Sequence, residues 1–412
     1  MSGNNKYIIF IRGGGVGKLS VVDFVRENGY KIAIADLNYK NSTGWADEII
    51  NSDPNNQEQF ISDVIEFCTR HDVAAILSFA EFGVELAAII TGILGFPGQN
   101  VNAVRACRNK YLTRVLTSRK GLPCPKFSKA DSLGELKESF RKINAPSIIK
   151  PLNFAAASAV AKVNSEDEIE AVYKDLINKR AESPIIDYML DTTKDSWLIE
   201  EYLNGFEISV ESYTYEGKTQ VIAIHDKLCE VEAPYFYEDI LATPSPRISQ
   251  DMADQIEKMT KDILEAVNYR MGLSHTEFRI TPGGPVLVEV NARQGGTLNA
   301  ESTFYSTGIN LPQLLISMSL GVSPDINIQS RKPTVYKIIF APSEGIIRSI
   351  DGFENAKQFK SIKIAEQWLK EGMPIKARQS DYVGSILGSG ESMEDVLSDI
   401  RRAVSQVHIC MD

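Results

Sequence analysis

The stretch Ser274-His-Thr-Glu-Phe-Arg-Ile-Thr-Pro-Gly-Gly-Pro-Val-Leu-Val-Glu-Val-Asn-Ala-Arg-Gln-Gly-Gly296 decides how this chain is read. Two runs rich in β-formers flank Pro282-Gly-Gly284, so the segment reads as a hairpin. Side chains alternate along a strand, which puts His275, Glu277 and Arg279 on one face and Thr276, Phe278 and Ile280 on the other. On the return run Glu289, Asn291 and Arg293 share a face, with Val288, Val290 and Ala292 behind them. A three-residue loop at 282–284 pairs Thr281 with Pro285 and sets Glu277 opposite Glu289. Two carboxylates facing across a ladder repel, so something positive is expected between them. Two glutamates and an asparagine carbonyl are hard oxygen ligands, the kind magnesium takes while keeping water and phosphate oxygens in its other positions. Arg293 adds a cation, and Gln294-Gly295-Gly296 adds backbone N–H groups able to gather round an anion. The same spacing also fits a half-exposed hairpin with charged residues on its wet face.

The rest of the chain bounds the answer. Its 412 residues suffice for about three domains of the usual ~100–200 residues. A hydrophobic share of 43% and a charged share of 24% are those of an ordinary globular protein. The formal net charge of −10 argues against a general binder of nucleic acid or anionic membrane, so any phosphate must be held locally. Cys68, Cys107, Cys124, Cys229 and Cys410 are scattered, which indicates neither a zinc site nor a disulfide framework and suits a reducing cytoplasm. The run Tyr7–Ile11 is too short for a signal-peptide core, and Leu86–Phe96 is broken by Gly92 and Gly95, so no export and no membrane span are expected.

Taken in order, Tyr7–Ile11 is a buried-type strand, Gly13–Gly15 a turn, Lys18–Asn28 a helix and Lys31–Ala35 a second strand. The glycines match neither the Walker loop nor the Gly-x-Gly-x-x-Gly dinucleotide pattern, so a tight strand-to-helix turn is the simpler reading. Strand–helix alternation continues to a linker at Gly121–Pro125, giving a doubly wound first domain. Ser147–Pro151 is a strand ending on Lys150, which needs an anion or carboxylate to hold its charge, and Ser158–Val163 is its hairpin partner. Trp197–Leu203 carries adjacent Glu200 and Glu201, which point to opposite faces. Glu207–Glu211 and Thr219–His225 follow as strands, the latter delivering His225-Asp226-Lys227 at its end. Asp251–Met271 reads as an amphipathic helix with Ile256, Met259, Ile263 and Val267 inward and Gly272 as its stop. From Arg331 onward, short strands and a final helix with a Val396, Ile400, Ala403 and Val407 stripe read as a covering layer.

In this order Lys110, Lys150-Pro151, Glu200-Glu-Tyr-Leu203, Gly205-x-Glu207, Glu277 and Val288-Glu-Val-Asn291-Ala-Arg293 resemble the ATP-grasp carboxylate–amine ligases over nearly the whole chain. Ala223–Lys227 and His275–Glu277 look most like the dipeptide-forming L-amino acid ligases among them. The resemblance implies an α/β and α+β fold of ATP-grasp architecture: a doubly wound domain over 1–120, clamp lobes over 121–195 and 196–330, and a cap over 331–412. It implies that Lys110 and Lys150 contact ATP phosphates, that Glu200, Glu201, Tyr202 and Leu203 form the adenine-holding hinge, and that Glu207 takes the ribose hydroxyls. Ser158 counts with the ATP-binding residues at the end of the loop after Lys150. That loop, Asn153–Ser158, departs from the family in having no glycine, so it is expected to be stiffer. By the same resemblance Glu277, Glu289 and Asn291 ligate Mg2+, with Mn2+ as an alternative, and Arg293 stabilises an acyl phosphate and the oxyanion that follows.

The chemistry implied is amide formation from a small-molecule carboxylate and amine, both amino acids, with ATP converting the carboxylate to an acyl phosphate. Lys227 or Asp226 is expected to steer substrate, and His225 or His275 to accept the amine proton or else to make structural hydrogen bonds. Rival readings are a purine-pathway or biotin-carboxylase-like enzyme and a non-catalytic ATP-binding protein. A homodimer is expected because two-fold closure is the commonest symmetry. The expected location is the cytoplasm.

Overall fold

The computed structural model describes residues 5–153, 159–182, 196–228, 239–375 and 382–412. The first unit contains β1 (Tyr7–Ile11), α1 (Val21–Glu27), β2 (Lys31–Asp36), β3 (Glu48–Asn51), α2 (Gln57–Arg70), β4 (Val73–Leu77), α3 (Val84–Leu94), α4 (Val101–Arg108) and α5 (Lys110–Arg119). Its strands pair in parallel in the order β3-β2-β1-β4. The unbroken apolar run of β1 is buried on both faces, Ile8 and Phe10 on one side and Tyr7, Ile9 and Ile11 on the other. The helix expected from Lys18 starts at Val21, because Leu19 and Ser20 take left-handed backbone at φ 45° and 55°. Gly13 and Gly17 answer to packing: a Cβ there would fall 2.3 Å from the Tyr39 ring and 2.0 Å from the Trp45 ring. Strand β3 escaped the sequence reading because it is four residues long with one buried side chain, too short to show a period.

The second unit comprises β5 (Phe127–Ala130), α6 (Leu133–Ile143), β6 (Ser147–Pro151), β7 (Ala161–Val163), α7 (Ile169–Glu182) and β8 (Trp197–Glu201). They form an antiparallel sheet ordered β5-β8-β6-β7, whose Ile149, Val163, Trp197 and Ile199 pack against Leu136 and Ile143 of α6 and Leu176 of α7. Next come β9 (Phe206–Tyr215), β10 (Lys218–Lys227), β11 (Ile240–Thr243), α8 (Gln250–Ala266), β12 (Gly272–Thr281), β13 (Gly284–Asn291), α9 (Asn299–Thr307), α10 (Leu311–Ser319) and β14 (Thr334–Phe340). Ser249 caps α8 by accepting from the Met252 N–H at 3.3 Å. Ile256, Met259 and Ile263 of α8 then pack on Val210, Phe278, Leu287 and Val290 of the sheet. Each such side chain contributes about 1.5–3 kcal/mol when fully buried. Helix α8 stops at Ala266, earlier than expected, and Asn268 turns left-handed at φ 56°. Gly272, expected to be its stop, instead opens β12, where a Cβ would lie 2.6 Å from the Tyr269 hydroxyl.

The remaining elements are β15 (Gly345–Asp351), α11 (Phe353–Ala356), β16 (Ile362–Gln367), β17 (Pro374–Ile375), β18 (Tyr382–Ser389), α12 (Met393–Val404) and β19 (His408–Met411). This segment does more than cover: β14, β18 and β16 continue the central sheet, whose eight strands run β13-β12-β9-β10-β11-β14-β18-β16. Val396, Ile400 and Ala403 of α12 are buried against it, while Val407 lies beyond the helix.

The hairpin of β12 and β13 has a shorter turn than expected. Thr281 pairs with Gly284, leaving two residues at the tip, and its hydroxyl accepts from Gly283 N–H at 3.2 Å and donates to Gly284 O at 2.9 Å. Pairing is therefore one residue off the expected register as far as Phe278 opposite Leu287. A β-bulge then inserts Val288, and beyond it Glu277 stands opposite Glu289. The bulge also re-sorts the faces. Leu287, Val290 and Ala292 enter the core, while Val288, expected beside them, is half-buried and its carbonyl accepts from Arg114 Nη2 at 2.6 Å.

Candidate active site

The strand register lays the charged residues of four strands out as a grid on one face of the central sheet. Asn291, His275 and Glu211 lie in one row, Glu289, Glu277, Ser209 and His225 in the next, and Arg279 pairs with Glu207 in a third. Period-two alternation puts Lys227 on the face of His225, and its ammonium meets Glu207 and, at 3.4 Å, Glu277. Arg279 Nε lies 3.6 Å from Glu207. Across the hairpin Lys110 Nζ approaches Glu289 at 3.0 Å and the Asn291 amide donates to Glu289 at 2.9 Å. The positive charge expected near the two facing glutamates is thus supplied by lysines on either flank.

These contacts separate the two carboxyls. Burial alone would raise both. At Glu289 the Lys110 ammonium and the Asn291 amide outweigh it and hold the carboxyl well below the usual range. At Glu277 the charge of Glu289 adds to burial, so that carboxyl is raised despite Lys227. Among the described residues no three His, Cys, Asp or Glu side chains converge as a metal cage. The facing pair with Asn291 still fits Mg2+, which takes few protein ligands and fills its octahedron with water and phosphate oxygens.

Helix α5 and the second sheet close the other side. Asn109 caps α5 by accepting from Leu112 N–H at 3.0 Å, and Lys110 and Arg114, four residues apart, then project from one face of it. Arg114 is fully buried; its Nε donates to Glu200 at 3.0 Å, and Lys150 Nζ meets the other Glu200 oxygen at 2.5 Å. Burial would raise the Glu200 carboxyl, yet Arg114 and Lys150 hold it low. Burial lowers Lys150, and together with repulsion from Arg114 and Lys110 it outweighs what Glu200 restores.

Residues 143–301 match the model of the ATP-grasp domain. This stretch of the chain is an ATP-grasp domain. The chain has the fold of the L-amino acid ligase from Bacillus licheniformis, with a TM-score of 0.87, 99% of each chain covered and 23% identity. It is 23% identical over 312 residues to a formate-dependent phosphoribosylglycinamide formyltransferase of Saccharolobus solfataricus, covering 74% of this chain and 73% of that protein. A D-alanine–D-alanine ligase of Flavobacterium psychrophilum is 30% identical over 196 residues, 45% of this chain and 54% of the relative.

Several roles expected from the ATP-grasp pattern meet a different environment. The Glu200 carboxylate is turned to Arg114 and Lys150, so it is not aimed at a hinge ligand. The hinge backbone is partly committed: Glu201 N–H donates to Lys126 O at 2.8 Å, Tyr202 N–H to Pro146 O at 2.7 Å, and Leu203 O accepts from Arg279 at 3.1 Å. His275 was expected as an amine base. Burial would lower its pKa, but Glu211 at 2.6 Å and Glu277 at 3.2 Å push it up to about 10, leaving an imidazolium whose ring nitrogens both donate. His225 is buried opposite Ser209, within electrostatic reach of Glu211. Asp226, expected to steer substrate, is buried and bound by Ser245 and by the Arg247 guanidinium, which stacks 4.1 Å from the Phe206 ring. Gly295 N–H donates to Glu211 at 3.1 Å, so this amide is not aimed at a substrate oxyanion. A Cβ on Gly295 would fall 2.4 Å from that carboxylate and 2.7 Å from His275. Ser158 and residues 154–157 of the glycine-free loop lie outside the described residues.

The structure also brings in residues that the sequence reading passed over. Glu81, just past the C-terminal end of β4, accepts from Arg293 Nε at 2.6 Å and from Arg108 at 3.2 Å, and Arg108 bonds Glu85 at 2.8 Å. Arg293 Nη1 donates to Gln294 O at 2.7 Å, so two sides of its guanidinium are fixed. The signals were available. Arg114 follows Lys110 by one helical turn, Glu211 shares the face of Glu207, and Glu81 sits at a strand end where open α/β sheets place function.

Proposed function

We propose that this ATP-grasp enzyme is a carboxylate–amine ligase that joins two amino acids, with ATP consumed to ADP and phosphate through an acyl phosphate. One observation carries the reading: among the described residues Lys110, Lys150 and Arg114 converge on Glu200 and Glu289, three cations gathered beside the facing glutamates where a polyphosphate would add negative charge. The full-length likeness to an L-amino acid ligase and the D-alanine–D-alanine ligase relative support amino acids as substrates.

In this reading Lys110 and Lys150 bind the phosphates, and Lys150 leaves or shares Glu200 as they arrive. Glu277, Glu289 and Asn291 hold Mg2+, which when bound neutralises phosphate charge during transfer. Glu207 takes the ribose hydroxyls and the 200–203 hinge the base. Arg293, pinned by Glu81, offers a fixed guanidinium to the oxyanion formed as the amine attacks the acyl carbon. Lys227, paired with Glu207 and Glu277, orients a substrate carboxylate. Replacing Glu81 with glutamine keeps its shape but removes the charge that fixes Arg293; turnover is expected to fall roughly 10- to 100-fold, as for loss of a charged hydrogen bond. The KM for ATP stays near its starting value; steady-state kinetics check the split.

The test is pairwise mixtures of amino acids with ATP and Mg2+, reading phosphate release and product mass. The expected product weighs the sum of two amino acids less one water. A second reading rests on the formyltransferase relative. ADP release that requires formate and a phosphoribosyl amine, with no amino-acid product, would favour it. Among the described residues no helix is long and apolar enough to cross a membrane. A cytoplasmic homodimer accompanies the proposal, with light scattering to measure its mass.

A further inference from the structure

Glu301 lies eight residues past Arg293, in the first turn of α9, and is only 6% exposed. One of its oxygens meets Lys18 Nζ at 3.3 Å, and Lys18 also donates to Thr297 O at 2.5 Å. The other, Oε2, is buried with no hydrogen-bond donor among the described residues. A buried carboxylate oxygen without a donor is costly. Its surroundings deepen the deficit. The exposed Glu366 of β16 lies within electrostatic reach, and the indole N–H of Trp368 donates to it at 3.3 Å. Burial, with Glu366 adding to it, raises the Glu301 carboxyl even though Lys18 and the backbone N–H of Glu301 oppose them. Glu301 and Glu366 thus repel each other, while the half-exposed Lys18 pairs with Glu301. Tyr305, one helical turn after Glu301, packs on the same apolar core as Trp368, Tyr382 and Phe340, with Trp368 and Tyr382 ring centroids 6.3 Å apart. A carboxylate oxygen without a donor, facing a second carboxylate that an indole touches, is the chemistry that holds an organic cation. The glycine loop ties this place to the reaction centre. Gly14 lies against Ala80, next to the Glu81 that holds Arg293, and Lys18 at the end of the same loop holds Glu301.

We propose that Glu301, Glu366, Tyr305 and Trp368 form the seat for the positively charged side chain of a basic amino acid, one of the two substrates. The inference rests on the ligase reading for the word substrate, but its binding content stands apart from turnover. Lysine, ornithine and arginine are compared with the uncharged isostere norleucine, each with ATP, Mg2+ and a panel of second amino acids. The intact enzyme is expected to favour lysine by at least about 10-fold in kcat/KM, as a charge-assisted hydrogen bond at a dry site would give. In Glu301→Gln the ratio falls toward unity; in Glu366→Gln, a surface change that leaves the Lys18 contact in place, it falls by a few-fold. Calorimetric titration of lysine and norleucine in the presence of a non-hydrolysable ATP analogue reads the same preference without catalysis. Equal use and equal binding of lysine and norleucine by the intact enzyme overturn the seat and leave the ligase reading standing. If no amino acid supports ADP release, the ligase reading falls; tighter binding of lysine that disappears in Glu301→Gln then still upholds the seat. Should Glu301→Gln fail to fold, a lysine preference unchanged in Glu366→Gln overturns it.

Discussion

Replacing Arg293 with alanine is expected to lower turnover by about 10²–10³-fold while ATP still binds, the usual result of deleting one preorganised oxyanion donor. The expectation comes from how the side chain is held. Glu81 takes Nε at 2.6 Å and the Gln294 carbonyl takes Nη1 at 2.7 Å, so the guanidinium need not reorganise when charge develops on the acyl carbon's oxygen. Arg293 is held by Glu81 and Gln294, whereas Lys110 and Lys150 are held by Glu289 and Glu200, so nucleotide affinity should survive. Product formation by mass and ATP affinity by calorimetry read the two quantities separately. Near-normal turnover in the variant would remove Arg293 from the mechanism.

Glu200→Ala is expected to act on the fold before it acts on catalysis. Arg114 and Lys150 are both buried, and both bond to this one carboxylate. Truncating it strands two cations in a poorly solvated place, for which the loss of one partner of a buried pair suggests about 3–5 kcal/mol of stability. Denaturant melts at neutral pH measure it, and a loss under ~1 kcal/mol would mean that solvent reaches these cations freely. The effect depends on pH with a definite sign. The Glu200 carboxyl is held below its unfolded value, so its contribution is present above the ordinary carboxylate range and is lost as pH falls through the depressed folded value. The gap between the parent and the variant should therefore narrow on acidification.

What was legible in the sequence followed from local rules. The alternation survives folding along β12 and in 289–292, so the hairpin could be read from it, and Glu277 meets Glu289 as expected because the shorter turn and the bulge offset each other. The turn length could not, because Pro282-Gly-Gly284 suits loops of two or three residues. Nor could the bulge, because in Pro285-Val-Leu-Val288 every residue is apolar and none declares itself the extra one. The misjudged roles share another cause. Glu200 was read by its neighbours in the chain, whereas its partner Arg114 comes from a helix 86 residues earlier. His275 looked like a base until Glu211, from the adjacent strand, was set against its ring. The C-terminal segment was read as a cover because sequence shows that strands exist but not which sheet they join.

The unpaired residue at Val288 is the one the ladder skips. Excising it would let Glu289 follow Leu287 directly, closing the ladder with Glu277 still opposite Glu289 and Val290 still inward, while the carbonyl that takes Arg114 Nη2 would be lost. Lengthening the tip at 282–283 by a matched pair of residues would likewise leave that phase untouched. The hairpin can thus be trimmed by one residue at the bulge or extended at its apex in even steps with the acidic grip in register, and what the bulge alone provides is the anchor for the buried guanidinium.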